Sequence, residues 1–98
     1  MPLLNIEVDS AAVPREMRIA GAIDLSSVEE LKDGLQRLVT EPSDLVLDFS
    51  DVTFIDSSGI SALIAASIVL DPAQLRIRNA SDFIRHSLTV TGVGYLCG

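Results

Sequence analysis

Asp56-Ser57-Ser58-Gly59 is the stretch whose residue types and spacing best suit chemistry. It lies between an apolar run expected to form a buried strand and an apolar segment expected to form a helix, so its main-chain amides should point outward at a helix start. Such a position favours added negative charge. The plainer reading is structural: Asp56 caps the helix, the serines fill its first turn and Gly59 allows close packing. The residues alone leave both readings standing.

Other candidates are sparse. No Gly-x-Ser-x-Gly elbow, Gly-x-x-x-x-Gly-Lys loop or His-x-x-x-His pair occurs. His86 is the lone histidine; a triad of Ser57, His86 and an aspartate, hence a small hydrolase, is a remote reading beside an ordinary helical histidine. Cys97 is the only cysteine, which rules out an intrachain disulfide and a cysteine-rich metal site and fits a reducing compartment. No metal or cofactor is expected, and catalysis by this chain is not.

The balance of charge narrows the partners. A net charge of −7 with scattered Lys and Arg argues against nucleic acid, whose phosphates need clustered cations. An acidic surface suits solubility and a basic protein partner. Met1 to Val8 lack the basic start and long apolar run of a secretory signal. Ile60 to Leu70 falls far short of the roughly 20 residues that span a bilayer. A cytoplasmic location without membrane insertion is expected.

Elements that could position Ser57 follow from periodicity. Leu3 to Asp9 alternates around Leu4, Ile6 and Val8, and Glu16 to Ile23 places Met17, Ile19, Gly21 and Ile23 on one face, so a strand hairpin around a Ser10–Arg15 loop is expected. Ser26 and Ser27 each precede a glutamate by three residues, Glu29 and Glu30, which predicts a capping box at a helix start. Val28, Leu31, Leu35 and Leu38 form that helix's apolar stripe; Gly34 weakens it by roughly 1 kcal/mol. Leu45 to Phe49 reads as a central strand covered on both sides. Ile60–Leu70 reads as a second helix, Leu75–Arg78 as a strand, and Ser81–Val90 as a third helix with Phe83, Ile84 and Leu88 inward. Gly92–Gly98 offers at most one short strand. Residues 1–98 read as one α/β domain, a mixed sheet of four to five strands with helices packed on it. With 48% apolar but only 4% aromatic residues, its core must be aliphatic.

Leu45-Val-Leu-Asp-Phe-Ser-Asp-Val-Thr-Phe-Ile-Asp-Ser-Ser-Gly-Ile-Ser-Ala-Leu resembles the signature of the STAS family, particularly its bacterial anti-sigma factor antagonists. Gly21-Ala22-Ile23-Asp24 resembles the family's Gly-x-Leu-Asp segment, and Thr91-Gly92-Val93 its Thr/Ser-Gly-Leu turn. The matches run from about residue 17 onward, in the family's order and spacing.

The resemblance implies a switch. Ser57 matches the serine that an ATP-dependent anti-sigma factor kinase phosphorylates; the unmodified antagonist binds that kinase and frees the sigma factor, and a metal-dependent phosphatase resets it. ATP and metal would belong to the partners. Asp24 matches an aspartate beside the acceptor that contacts the kinase, although by sequence alone it serves equally as a cap. The docking surface would be framed by Asp24, Asp56, Ser57, Ser58 and Gly59, with Ser58 supporting the turn and Gly59 allowing close approach. A non-switching scaffold subunit, of a stress-signalling assembly or of a lipid-transport ATPase, is the alternative.

Two departures qualify the match. Ile60–Leu70 carries no charge where family members have a mixed helix, so it is either more buried or an apolar docking face. Family members also continue into a further strand and helix; ending at Gly98 is expected to leave apolar surface open and to favour a homodimer.

Overall fold

A computed structural model describes residues 3–97. β1 (Asn5–Asp9) and β2 (Arg15–Ile23) form the expected hairpin, antiparallel, with Ile6 opposite Ile19. β3 (Leu45–Ile55) runs parallel to β2, and β4 (Leu75–Arg78) parallel to β3, in the order β1-β2-β3-β4. The connections are α1 (Val28–Leu38) and α2 (Ser57–Leu70), and α3 (Asp82–Val90) follows β4. This is the mixed sheet read from the sequence, with four strands among the described residues.

One apolar cluster joins the sheet to the helices. Met17 and Ile19 of β2, Leu45, Leu47 and Phe49 of β3, and Leu75 and Ile77 of β4 meet Val28, Leu31, Leu35 and Leu38 of α1, Leu63 of α2, and Ile84 and Leu88 of α3. The α1 stripe is the one its spacing predicts. Gly34 leaves room for Met17, since a methyl there would stand 2.9 Å from the Met17 Cε. That packing offsets the glycine's weak helix propensity.

Leu45–Phe49 is buried on both faces, as expected, with the helices on one of them. The helices share one cluster, and the smallest dimension of the molecule, 20 Å, fits two layers rather than three. On the opposite face, Glu7, Arg18, Asp48 and Arg78 stand in register across all four strands with alternating sign. Arg18 Nε lies 3.4 Å from Asp48 Oδ2. Val46 and Asp48 are nonetheless buried. Val46 has Glu16 and Arg76 as its cross-strand neighbours, and the stems of such long side chains cover apolar surface without a second helix layer.

Some local expectations change. Val8 and Phe83 are 48% and 61% exposed. β1 is an edge strand, and α3 aims Ile84 and Leu88 inward, which turns Phe83 about 100° away. The segment after α3 forms a 3-10 turn at Gly94–Leu96 and a single parallel bridge from Cys97 to Ile77, within the one short strand at most that was expected; Gly98 lies outside the described residues. The capping box is absent: Ser27 caps α1 without a side-chain bond, and the Glu30 carboxylate accepts the Leu3 and Leu4 amides at 2.8 and 2.7 Å. Glu30 thus ties the segment before β1 to α1.

At the far end of the sheet Arg15 does similar work from the interior. Its guanidinium is buried and donates to the carbonyls of Leu38, Glu41 and Ser43 at 2.7, 3.2 and 2.6 Å. The Leu38 carbonyl is one that the last turn of α1 leaves without an intrahelical partner.

Gly21 has φ +117°, and a Cβ there would stand 3.3 Å from the Leu3 carbonyl. Gly21→Val is therefore expected to lower stability by about 1–3 kcal/mol, read as a reduced urea midpoint at unchanged slope.

Candidate functional site

β2 and β3 end level. Ile23 pairs with Ile55, so Asp24 and Asp56 leave the sheet side by side on strands about 4.8 Å apart. Two register shifts, between Arg18 and Ala20 and between Gly21 and Ala22, set that alignment. The Asp56 amide then donates to the Ile23 carbonyl at 3.1 Å and locks the two turns together. Since β2, β3 and β4 are parallel and a helix follows each, all three helix N-termini lie at this end of the sheet.

α2 starts on a well-made cap. Asp56 has an extended backbone, and its Oδ1 accepts the Ser58 and Gly59 amides at 2.9 and 3.3 Å and the Ser58 hydroxyl at 2.5 Å. Ser58 is thereby committed to the turn, and Ser57 is left exposed as the first helical residue. No described residue hydrogen-bonds the Ser57 hydroxyl. Gly59 is buried beneath it: a methyl there would stand 2.5 Å from Ile23 Cγ2 and 2.8 Å from Ile55 Cγ1. Its smallness serves the close packing of the neighbouring strands and lets α2 begin directly over the ends of β2 and β3.

Asp24 makes the matching turn on the other side. Its Oδ1 accepts the Ser26 amide at 3.0 Å and the Ser26 hydroxyl at 2.7 Å, while its carbonyl accepts the Ser27 and Val28 amides at 3.0 and 2.8 Å. Ser27, which sequence reasoning saw only as a cap, is buried and stitches the turn to β2. Its hydroxyl donates to the Ala22 carbonyl at 2.7 Å and accepts the Asp24 amide at 3.0 Å. Leu25, between the two, is 79% exposed beside the site, and no motif or periodicity marks it.

Both flanking carboxyls are held below the usual carboxylate range. For Asp24 the main cause is the Ser26 hydroxyl, helped by the Ser26 and Ser27 amides and the Ser27 hydroxyl; for Asp56 it is the Ser58 hydroxyl, helped by the Gly59, Ser58 and Leu25 amides. In each a smaller desolvation penalty opposes the shift. The structure therefore brings Asp24, Asp56, Ser57 and Ser58 to one end of the sheet, with Gly59 as their floor and the Ser57 side chain exposed. His86 is exposed on α3 and takes no part in these hydrogen bonds. Among the described residues no three His, Cys, Asp or Glu side chains converge to hold a metal, and no helix is long and apolar enough to cross a membrane.

Known proteins share this fold. The family model described as "Mlab, STAS domain" matches residues 6–97. The anti-sigma-B factor antagonist of Bacillus subtilis is 25% identical over 92 residues, covering 92% of this chain and 84% of its own. The anti-sigma factor antagonist SpoIIAA in its unphosphorylated form superposes with a TM-score of 0.79 at 18% identity, covering 96% of this chain and 86% of its own. The phosphorylated form of SpoIIAA, a Bacillus cell fate determinant, gives 0.73 at 17% identity, covering 96% and 89%.

Two outcomes are expected of this geometry. Gly59→Ala should cost about 1–3 kcal/mol through overpacking against Ile23 and Ile55, measurable by denaturant unfolding. Asp24 and Asp56 hold protons more weakly folded than unfolded, so the unfolded chain takes up more protons once pH drops below its ordinary carboxylate value of about 3.9. The stability these groups confer is present above that pH and lost as pH falls through their lower folded values. Thermal midpoints between pH 5 and about pH 2 should fall less steeply for Asp56→Asn than for wild type.

Proposed function

The chain belongs to the STAS domain family, and we propose that within it this protein is an anti-sigma factor antagonist switched by phosphorylation of Ser57. In this reading the unmodified surface around Asp24, Asp56, Ser57 and Ser58 docks on an anti-sigma factor that is also a serine kinase, and the bound sigma factor is released. The kinase brings ATP and phosphorylates Ser57, docking fails, and a metal-dependent phosphatase restores the hydroxyl.

The observation that carries this reading is the exposed Ser57, in the first turn of α2 at the end of the sheet where Asp24 and Asp56 also emerge. A phosphoryl group adds about −1.5 to −2 charges there. The Asp56 carboxylate already takes the Ser58 and Gly59 amides, so the new charge gains little from the helix and faces outward. Solvent tolerates it; an apposed protein surface does not. Misplaced like charge across an interface costs several kcal/mol, and about 4 kcal/mol is a thousandfold in affinity. Release thus needs no change of fold.

The exposed, uncharged flank of α2 favours a second reading, a scaffold subunit that binds through the same fold without a switch. Calorimetric titration with the purified kinase separates the two. Ser57→Ala is expected to bind as tightly as unmodified wild type and to persist in the presence of ATP, and Ser57→Asp to bind about tenfold or more weakly. Equal binding by all three proteins, together with intact-mass and fragmentation data showing no phosphate on Ser57 in the native cells, would establish the scaffold reading instead.

A further inference from the structure

α2 has no charged residue in its 14 positions. Gly59, Ile60, Ala62, Leu63, Ala66 and Leu70 face the core, which leaves Ser61, Ala65, Ile68 and Val69 outside, the last two 68% and 64% exposed. Helices that are apolar all round are ordinarily covered. Ser57, Ser61, Ala65 and Val69 follow one another at intervals of four, so they form one stripe running down the helix from the phosphorylation site. Beside that stripe is a groove of about 470 Å³, walled on α1 by Lys32, Leu35, Gln36 and Val39 and on α2 by Ala65 and Val69 among others. Lys32 is the one charged residue in its lining.

Size decides what can fill it. From Ser57 to Val69 is about 18 Å along the axis, and a helix face about 10 Å wide gives roughly 200 Å². A stable complex buries about 800 Å² on each partner. A second copy of the chain lying on this strip alone falls well short of that. A protein already docked at Ser57 gains the strip as a continuous extension, and the strip adds none of the acid-to-acid repulsion that a chain of net charge −7 presents elsewhere.

Resting on the docking site assigned to Ser57 above, we propose that the α1–α2 groove receives an apolar helical segment of the same anti-sigma factor kinase; Lys32 at its rim is already paired with Glu29 at 3.3 Å, so the groove offers apolar contact without an unpaired charge. The interface then has two parts. The Ser57 end is sensitive to phosphate, and the α2 stripe supplies apolar contact that phosphate does not reach.

The test is calorimetric titration of the purified kinase into wild type, Ala65→Glu, Val69→Lys, Ser57→Asp and the double variant Ser57→Asp/Val69→Lys. Ala65 and Val69 are exposed, and unchanged thermal midpoints would establish that both variants fold. Ala65→Glu and Val69→Lys are each expected to weaken binding about tenfold or more, as charges placed in a desolvated apolar contact. The losses from Ser57→Asp and Val69→Lys should multiply, since about 18 Å exceeds the range over which substitutions usually couple. Wild-type binding with no loss in Ala65→Glu and Val69→Lys would overturn the groove proposal alone. Absence of wild-type binding would overturn the Ser57 reading and the groove with it. A wild-type dimer in sedimentation that Val69→Lys breaks, with kinase binding unchanged, would assign the groove to a second copy and overturn the proposal.

Discussion

The level ending of two parallel strands is the constraint on which the site depends. Because Ile23 sits opposite Ile55, the aspartates that follow each strand emerge as neighbours, and one main-chain hydrogen bond from Asp56 to Ile23 holds their turns together. A one-residue slip would send one of them to the wrong face. Gly21 permits the backbone at the second register shift, and Gly59 admits the start of α2 over the two isoleucines. Both glycines therefore act on the site without belonging to its surface.

The electrostatic character of that surface comes from caps, not from ion pairs. The three helices begin at one end of the sheet, and each start has an oxygen of its own: the Asp24 carbonyl for α1, the Asp56 carboxylate for α2 and the Ser81 hydroxyl for α3. A helix start with unpaired amides is a phosphate-binding site. One whose cap is a carboxylate is different, because the anion is already present. On the proposed reading, such a surface shows a phosphate to a partner and does not keep one for itself.

Much of this was legible in the chain before any coordinates. The stripe Val28, Leu31, Leu35 and Leu38, the strand at Leu45–Phe49 and the turn at Asp56 are local patterns, and locality is what periodicity and capping rules capture. What escaped was set by partners distant in sequence. Glu30 had the spacing for a capping box but found the amides of Leu3 and Leu4, some 26 residues away, and Ser27 was drawn inward to the Ala22 carbonyl. Val46 and Asp48 are buried as the apolar run implies, but which flanking side chains cover them on the helix-free face is not written in the run itself. Phe83 was misplaced because on a nine-residue helix a single position shifts the inferred face. Within the site, Asp24, Asp56 and Ser57 were readable from their motif. Gly59's orientation was not, since it depends on which strand ends lie beneath it.

The bare side of the sheet has a practical bearing. Its row of Glu7, Arg18, Asp48 and Arg78 points away from the helix layer, so the molecule has a back as well as an end. A fluorophore carried on a cysteine introduced at Glu7 or Arg76, both exposed, would ride on that back, clear of the helix face. It could report encounters at the sheet's end in real time, as a light signal, without obstructing them.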